Sequence, residues 1–212
     1  MKTRRLLLVA LVASAALAAS GCGYNTLTAK QQNVRRSWAD VESRLQRRAD
    51  LVPNLVAAAQ SAGIQEQEVF GQIAEARSRL INATGAPPQG EGGDKTPEQR
   101  QAVIDAANSF GGTVGRLLSL QQSWPQLRSS ELFMRVQDEL SGTENRINVA
   151  REDYNAAVSD YNTTRNSFPT VIGAKIYGFK EEPYFKAEEG ARQAPRIDPN
   201  VMRRDQGGQS NR

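Results

Sequence analysis

Residues 133–168 read FMRVQDELSGTENRINVAREDYNAAVSDYNTTRNSF, and their spacing decides the fold. Alternate steps of three and four from Phe133 land on Val136, Leu140, Thr143, Ile147, Ala150, Tyr154, Ala157, Tyr161, Thr164 and Phe168. Nine of these eleven positions are apolar or aromatic, so one face of a long helix is buried. The seven-residue repeat keeps that face against a partner helix by left-handed supercoiling. Ser130 supplies an acceptor for the helix start, and Pro169 lacks the N–H that continuation would need. These limits set a helix over 131–167, about 55 Å long.

Working outward, the same step recovers an earlier seam at Leu27, Gln31, Val34, Trp38, Val41, Leu45, Arg48 and Val52. Pro53 follows. An internal proline costs ~3 kcal/mol through its missing donor and ring clash, so the sequence predicts a break or kink there. A second helix is expected to start near Pro53, where proline is tolerated, and to carry Leu55, Val56, Ala59, Ala62, Val69, Phe70, Ile73 and Leu80. Thr96-Pro97-Glu98-Gln99 is a capping box that opens a third seam at Val103, Ala107, Phe110, Val114, Leu117, Gln121 and Trp124, closed by Pro125. Residues 83–96, with Gly85, Pro87, Pro88, Gly90, Gly92 and Gly93, read as a flexible loop. Residues 186–212 read as a disordered polar tail. No alternating strand pattern competes with these helices. The expected fold is all-α: an elongated antiparallel bundle of about four long helices, with a short aromatic C-terminal segment packing on it.

The N-terminus carries a different signal. Lys2, Arg4 and Arg5 precede the apolar run Leu6 to Ala19, which gives way to Ser20-Gly21-Cys22. A basic end, an apolar middle and small residues at a cleavage site are the layout of a signal peptide over 1–21. The fourteen residues of the run, all apolar but Ser14, span about 21 Å, short of the ~30 Å hydrocarbon core of a bilayer. Ala19-Ser20-Gly21-Cys22 is similar to the bacterial lipobox, which makes residues 22–23 the anchor site and Cys22 the acylated residue. The alternative is an uncleaved transmembrane anchor from about Leu6 to Gly23. Either way, the basic residues stay in the cytoplasm and the remaining chain goes outside.

Composition narrows the chemistry. Losing Lys2, Arg4 and Arg5 with residues 1–21 lowers the net charge from +4 to about +1, so the high isoelectric point argues for no nucleic-acid partner. Histidine is absent, which removes the commonest general base and metal ligand. The Glu-x-x-His pairs of di-metal bundles cannot exist here, and no metal or cofactor is implied.

Several short motifs, in order, are similar to those of the LemA family of bacterial envelope proteins. They are Tyr24-Asn25-Thr26-Leu27, the run Arg47-Arg48-Ala49-Asp50-Leu51-Val52-Pro53-Asn54-Leu55-Val56, and Glu144-Asn145-Arg146-Ile147. Tyr154-Asn155, Tyr161-Asn162, Phe168-Pro169, Tyr177-Gly178-Phe179-Lys180 and Tyr184-Phe185 complete the series, which covers 24–185. Relatives commonly carry a His-Glu pair where this chain reads Ala62-Gly63-Ile64-Gln65-Glu66. The resemblance implies an all-helical, membrane-attached domain facing out of the cytoplasm, and it implies no reaction.

Three sets of residues are candidates for a site. Arg48 occupies a seam position, where a charge needs a partner, and a contact with Glu144 across helices is expected, with Asp50 and Arg151 nearby. Asn155 and Asn162 follow Tyr154 and Tyr161 one heptad apart. Either they line a polar-aromatic groove for a ligand or peptide, or the tyrosines pack in the core while the asparagines fix register. Tyr177, Phe179, Tyr184 and Phe185 form either a partner-docking or membrane-surface segment, or a flap closing the bundle end. The function expected is a non-enzymatic, membrane-anchored scaffold or partner-binding protein of the bacterial envelope, its protein partner unidentified. An accessory subunit of an envelope enzyme, a weak hydrolase or a membrane-remodelling bundle are the alternatives.

Overall fold

The computed structural model describes residues 2–90 and 93–186, with side chains from residue 23 onward. Among the described residues there are six helices and no strand: α1 (Lys2–Ser61), α2 (Gln67–Gly85), α3 (Pro97–Ser123), α4 (Pro125–Ser129), α5 (Glu131–Asn166) and α6 (Thr170–Ile176). The apolar run, Cys22 and the expected signal peptide fall where only the backbone is described, and the tail beyond Lys186 lies outside the described residues.

α5 buries the predicted seam from Phe133 through Tyr161. Its start is held by the Ser130 hydroxyl, which accepts from Phe133 N. It packs against α1, and the pairs Lys30–Asp160 and Arg47–Glu139 show that the two run antiparallel. α2 and α3 form a second antiparallel pair: Lys95 Nζ reaches the Thr84 carbonyl at one end, and Arg116 meets Gln72 toward the other. The Thr96 capping box is present, with Gln99 N donating to the Thr96 hydroxyl and Thr96 N to the Gln99 side chain. The buried side chains of α1, α2, α3 and α5 share one apolar core.

The expected start of a helix near Pro53 is wrong, because α1 continues through Pro53 to Ser61. Proline removes the N–H that would have paired with the carbonyl four residues earlier, here that of Ala49. Arg77 of α2 takes that place, donating Nε to the Ala49 oxygen at 2.7 Å, with Asp50 3.7 Å from the same guanidinium. Val52 and Leu55, on either side, are fully buried, so continuing the helix keeps the seam in the core.

The break comes ten residues later and has a different cause. Gly63 adopts φ +86°, the left-handed region where a Cβ is strained. Ile64 N bonds to Ala59 O, and Gly63 N to Gln60 O, which is the Schellman pattern, with Ile64 buried behind it. α2 then returns alongside α1.

The flanks of residues 91–92 are tied down. Lys95 Nζ donates to the carbonyls of Thr84 and Ala86 at the end of α2, and Asp94 is held by Arg35 and Arg100.

The Pro53–Arg77 arrangement generates a test. Arg77→Met leaves the buried Ala49 carbonyl without a partner and is expected to cost about 1–3 kcal/mol in chemical denaturation. In a Pro53→Ala background the restored N–H serves that carbonyl, so the cost of Arg77→Met should fall by at least about half. Equal costs in both backgrounds would refute the substitution of one donor by the other.

A backbone clamp on the long helix

α6 ends as α1 does. Gly178 has φ +74°, Phe179 N bonds to Ala174 O, and the chain reverses into an extended strap, residues 178–186. The strap lies on the face of α5 that carries the Tyr-Asn repeat. Tyr161 donates its hydroxyl to Lys180 O, and Tyr154 donates to Pro183 O, both at 2.8 Å. Each asparagine makes a two-bond clamp: Asn162 accepts from Glu182 N and donates to Glu182 O, and Asn155 does the same with Phe185. Arg165 Nε adds a bond to Phe179 O.

The match is one of lengths. A heptad of α-helix advances about 10.5 Å, while three residues of extended chain advance about 9–10 Å. Two tyrosines seven apart therefore meet carbonyls three apart, and two asparagines seven apart meet Glu182 and Phe185. Glu182 and Phe185, also three apart, turn inward, at 4% and 3% exposure. The tyrosine rings lie in the core, and their hydroxyls are taken up by the chain's own carbonyls at 183 and 180.

Glu182 carries its charge onto Arg100. Arg100 is 1% exposed and among the largest fully buried side chains. Its Nη1 is 2.5 Å from Glu182 Oε2, its Nη2 is 2.7 Å from Asp94 Oδ2, and its guanidinium lies 5.9 Å from the Trp38 ring centre. Burial alone would lower the Arg100 pKa, but the carboxylates of Glu182 and Asp94 outweigh it and raise it. Burial pushes the Glu182 carboxyl above the usual range against the pull of Arg100. Burial and the Glu182 charge also raise both clamp tyrosines, Tyr161 to about 12.

A second ionic cluster sits further along α5. Arg48 Nη1 lies 2.7 Å from Glu144 Oε2, Arg151 lies 3.8 Å from the other oxygen, and the Arg48 guanidinium faces the Phe110 ring. Burial lowers the pKa of Arg48 and of Arg151, with Glu144 opposing it. Arg151 also covers the Phe185 ring at 4.3 Å. Asp50 belongs elsewhere, with Arg77 and Gln46 on the α2 side. Of the expected aromatic surface, Phe185 is a correction: it is core, because the Asn155 clamp and Arg151 hold it inward. Phe179 is half-buried, while Tyr177 and Tyr184 remain exposed.

Sequence reading missed Arg100, Asp94 and Glu182. Arg100 stood one step before Val103 on the third seam, a charge at a core position like Arg48, and that was the available signal. Glu182 had none, since it sits in a segment without helical period.

A cavity of about 250 Å³ opens where α1, the 86–96 loop and the strap meet, lined in part by Arg35, Asp94, Lys95, Lys180 and Glu182. Its charged groups are engaged with one another or with nearby carbonyls and carboxylates. Among the described residues no group of three or more acidic or cysteine side chains is placed to hold a metal ion.

The fold is thus a helical bundle locked by its own C-terminal strap. The chain belongs to the LemA family, whose model matches residues 37–198. It is similar to the magnetosome proteins MamQ 1 and MamQ 2 of Paramagnetospirillum magneticum, each 28% identical over 191 residues, covering 84% of this chain and 70% of theirs. It is 26% identical, over the same shares, to magnetosome protein MamQ of Magnetospirillum gryphiswaldense.

Two outcomes are expected of the clamp. Asn162→Ala strands the buried N–H and C=O of Glu182 and should cost about 2–4 kcal/mol by urea denaturation, with hydrogen exchange accelerating first in residues 179–186. The phenols must stay protonated to donate. Stability is therefore fully present below the ordinary tyrosine pKa of about 10 and is lost as pH rises through about 12. Ultraviolet titration should show late-ionising phenols, one fewer in Tyr161→Phe; an unchanged late phase in that variant would contradict the assignment.

Proposed function

We propose that this LemA-family chain is a membrane-anchored, non-enzymatic scaffold of the bacterial envelope, holding an unidentified envelope protein through its surfaces. The observation that carries this reading is the use of the convergent polar groups on the strap. Tyr154, Tyr161, Asn155, Asn162 and Arg100 all bind the chain's own residues 180–185. An accessory enzyme subunit or hydrolase would need ionisable groups free to meet a substrate, and those lining the cavity are engaged with one another or with nearby carbonyls and carboxylates. The relatives' designation as magnetosome proteins names a compartment and no reaction, which accords with an organising role.

Anchoring draws support from the backbone. α1 runs without interruption from Lys2 to Ser61, so Cys22, and the apolar run where it is kept, joins the bundle within one helix. Among the described residues no helix is long and apolar enough to cross a membrane, and the run Leu6–Ala19 lies outside those whose side chains are described. Acylation of Cys22 remains our preferred attachment. Two or more acyl chains hold a protein stably where one does not.

The test is metabolic labelling with palmitate in a bacterial host, followed by alkaline carbonate extraction. The wild-type chain should take up label and stay with the membranes, and Cys22→Ser should take up none. Label surviving Cys22→Ser would overturn the acyl anchor. A wild-type chain released by carbonate would overturn membrane anchoring altogether.

A further inference from the structure

α6 is folded with its apolar side outward. Of its seven residues only Ala174 is buried, while Ile172 and Ile176, one turn apart on one face, are 53% and 70% exposed. Phe168, just before it, is 82% exposed, and Tyr177, just after it, is about half exposed. Tyr24 of α1 extends the patch, its ring centre 5.0 Å from that of Tyr177. A short helix normally turns such residues into the core, and scattered apolar side chains need no explanation, but four within ten residues, joined in space by Tyr24, do.

The position of the patch names its occupant. Gly23 of α1 abuts Thr170, the first residue of α6, at 3.6 Å from the position a Cβ would take. Cys22, the acylation site, directly precedes Gly23 on the same helix, and Ala19, the last residue of the apolar run in an uncleaved chain, lies about 6 Å along its axis. The headgroup zone of a bilayer is roughly 5–8 Å deep on each side. Whether the apolar phase is entered by acyl chains on Cys22 or by an uncleaved run Leu6–Ala19, it therefore begins within about one headgroup layer of α6. The chemistry of the patch fits that layer: aliphatic residues flanked by tyrosines, whose rings and hydroxyls divide between apolar and wet surroundings. The one charged residue of α6 is Lys175, which is exposed and suits anionic headgroups.

We infer that α6, with Phe168, Tyr177 and Tyr24, is a membrane-seating surface that inserts into the bilayer interface beside the anchor. This rests on the anchored reading above and adds a second, peripheral contact to it. The anchor holds the chain to the membrane; the patch fixes how the bundle stands on it.

The test uses the full chain in vesicles of phosphatidylethanolamine and phosphatidylglycerol, with photoreactive p-benzoylphenylalanine at position 172, 176 or 168 in turn. The control position is 149, where Val149 is exposed about 25 Å along α5 from α6. Lipid adducts at 172 and 176 should exceed those at 149 by at least about fivefold. Position 168 lies outside any helix, so it reports even if a probe within α6 unfolds that helix. If the chain stays in the carbonate pellet but 172, 176 and 168 give no more lipid adduct than 149, the seating surface is wrong and the anchor stands. Adducts to a second protein or a second copy at these positions would also overturn it. Release of the chain by carbonate would remove both readings together.

Discussion

The burial of Arg100 is the constraint around which the structure is arranged. An arginine in a low-dielectric interior keeps its charge, so the fold must bring counter-charge to it. One carboxylate comes from Asp94, just ahead of α3, and the other from Glu182, which is far away in sequence. Trp38 of α1 supplies an aromatic face. Four separate parts of the chain are thereby required at one point: α1, the loop, α3 and the strap. Breaking such a pair by removing one partner costs more than the pair contributes, because the remaining charge stays buried. Arg100 therefore works as a specificity device, excluding arrangements in which the strap is elsewhere.

The strap's register is fixed from both sides by residue chemistry. A slip that brought Pro183 opposite Asn162 would offer a residue with no N–H to an oxygen that needs a donor. A slip the other way would put Tyr184 where Phe185 sits, taking a phenol hydroxyl into the pocket under Arg151. Between these, the commensurate spacing of helix heptad and extended tripeptide leaves one setting. Backbone recognition by asparagine is indifferent to side chains, so the selectivity comes from Glu182 at Arg100, the proline and the pocket.

The long helices were legible because their apolar residues recur with one period over many turns. The seam from Phe133 to Tyr161 and the capping box at Thr96 come straight from spacing and residue type. Pro53 misled because local propensity was weighed without its tertiary answer: Arg77, 24 positions on, serves the carbonyl that proline orphans. The real break at Gly63 was visible as a glycine before an isoleucine, a Schellman signature that is easily discounted inside a helical stretch. Arg48 and Glu144 could be paired from sequence because both lie on long helices whose alignment the seams set. Glu182 could not, because an extended strap held by side chains carries no period of its own. The same absence of period hid which of the C-terminal aromatics turn inward.

Taken with the ends of the bundle, this asymmetry bears on how the molecule works. The break at Gly63 and the short α4 are turns whose apolar residues Ile64 and Leu127 are fully buried. At the other end α6 turns its isoleucines outward, and that end is where α1 leaves the bundle. From α6 the chain passes through Gly178 into Phe179, whose ring meets Tyr24 at 5.7 Å, and then directly into the clamp. The outward helix and the buried Glu182 are therefore only a few residues apart, joined through a single left-handed glycine turn. Because the clamp admits one register, a load on α6 cannot be relieved by sliding the strap; it is either resisted or releases the clamp as a unit. The fold thus couples the exposed end of the bundle rigidly to its most charged interior point.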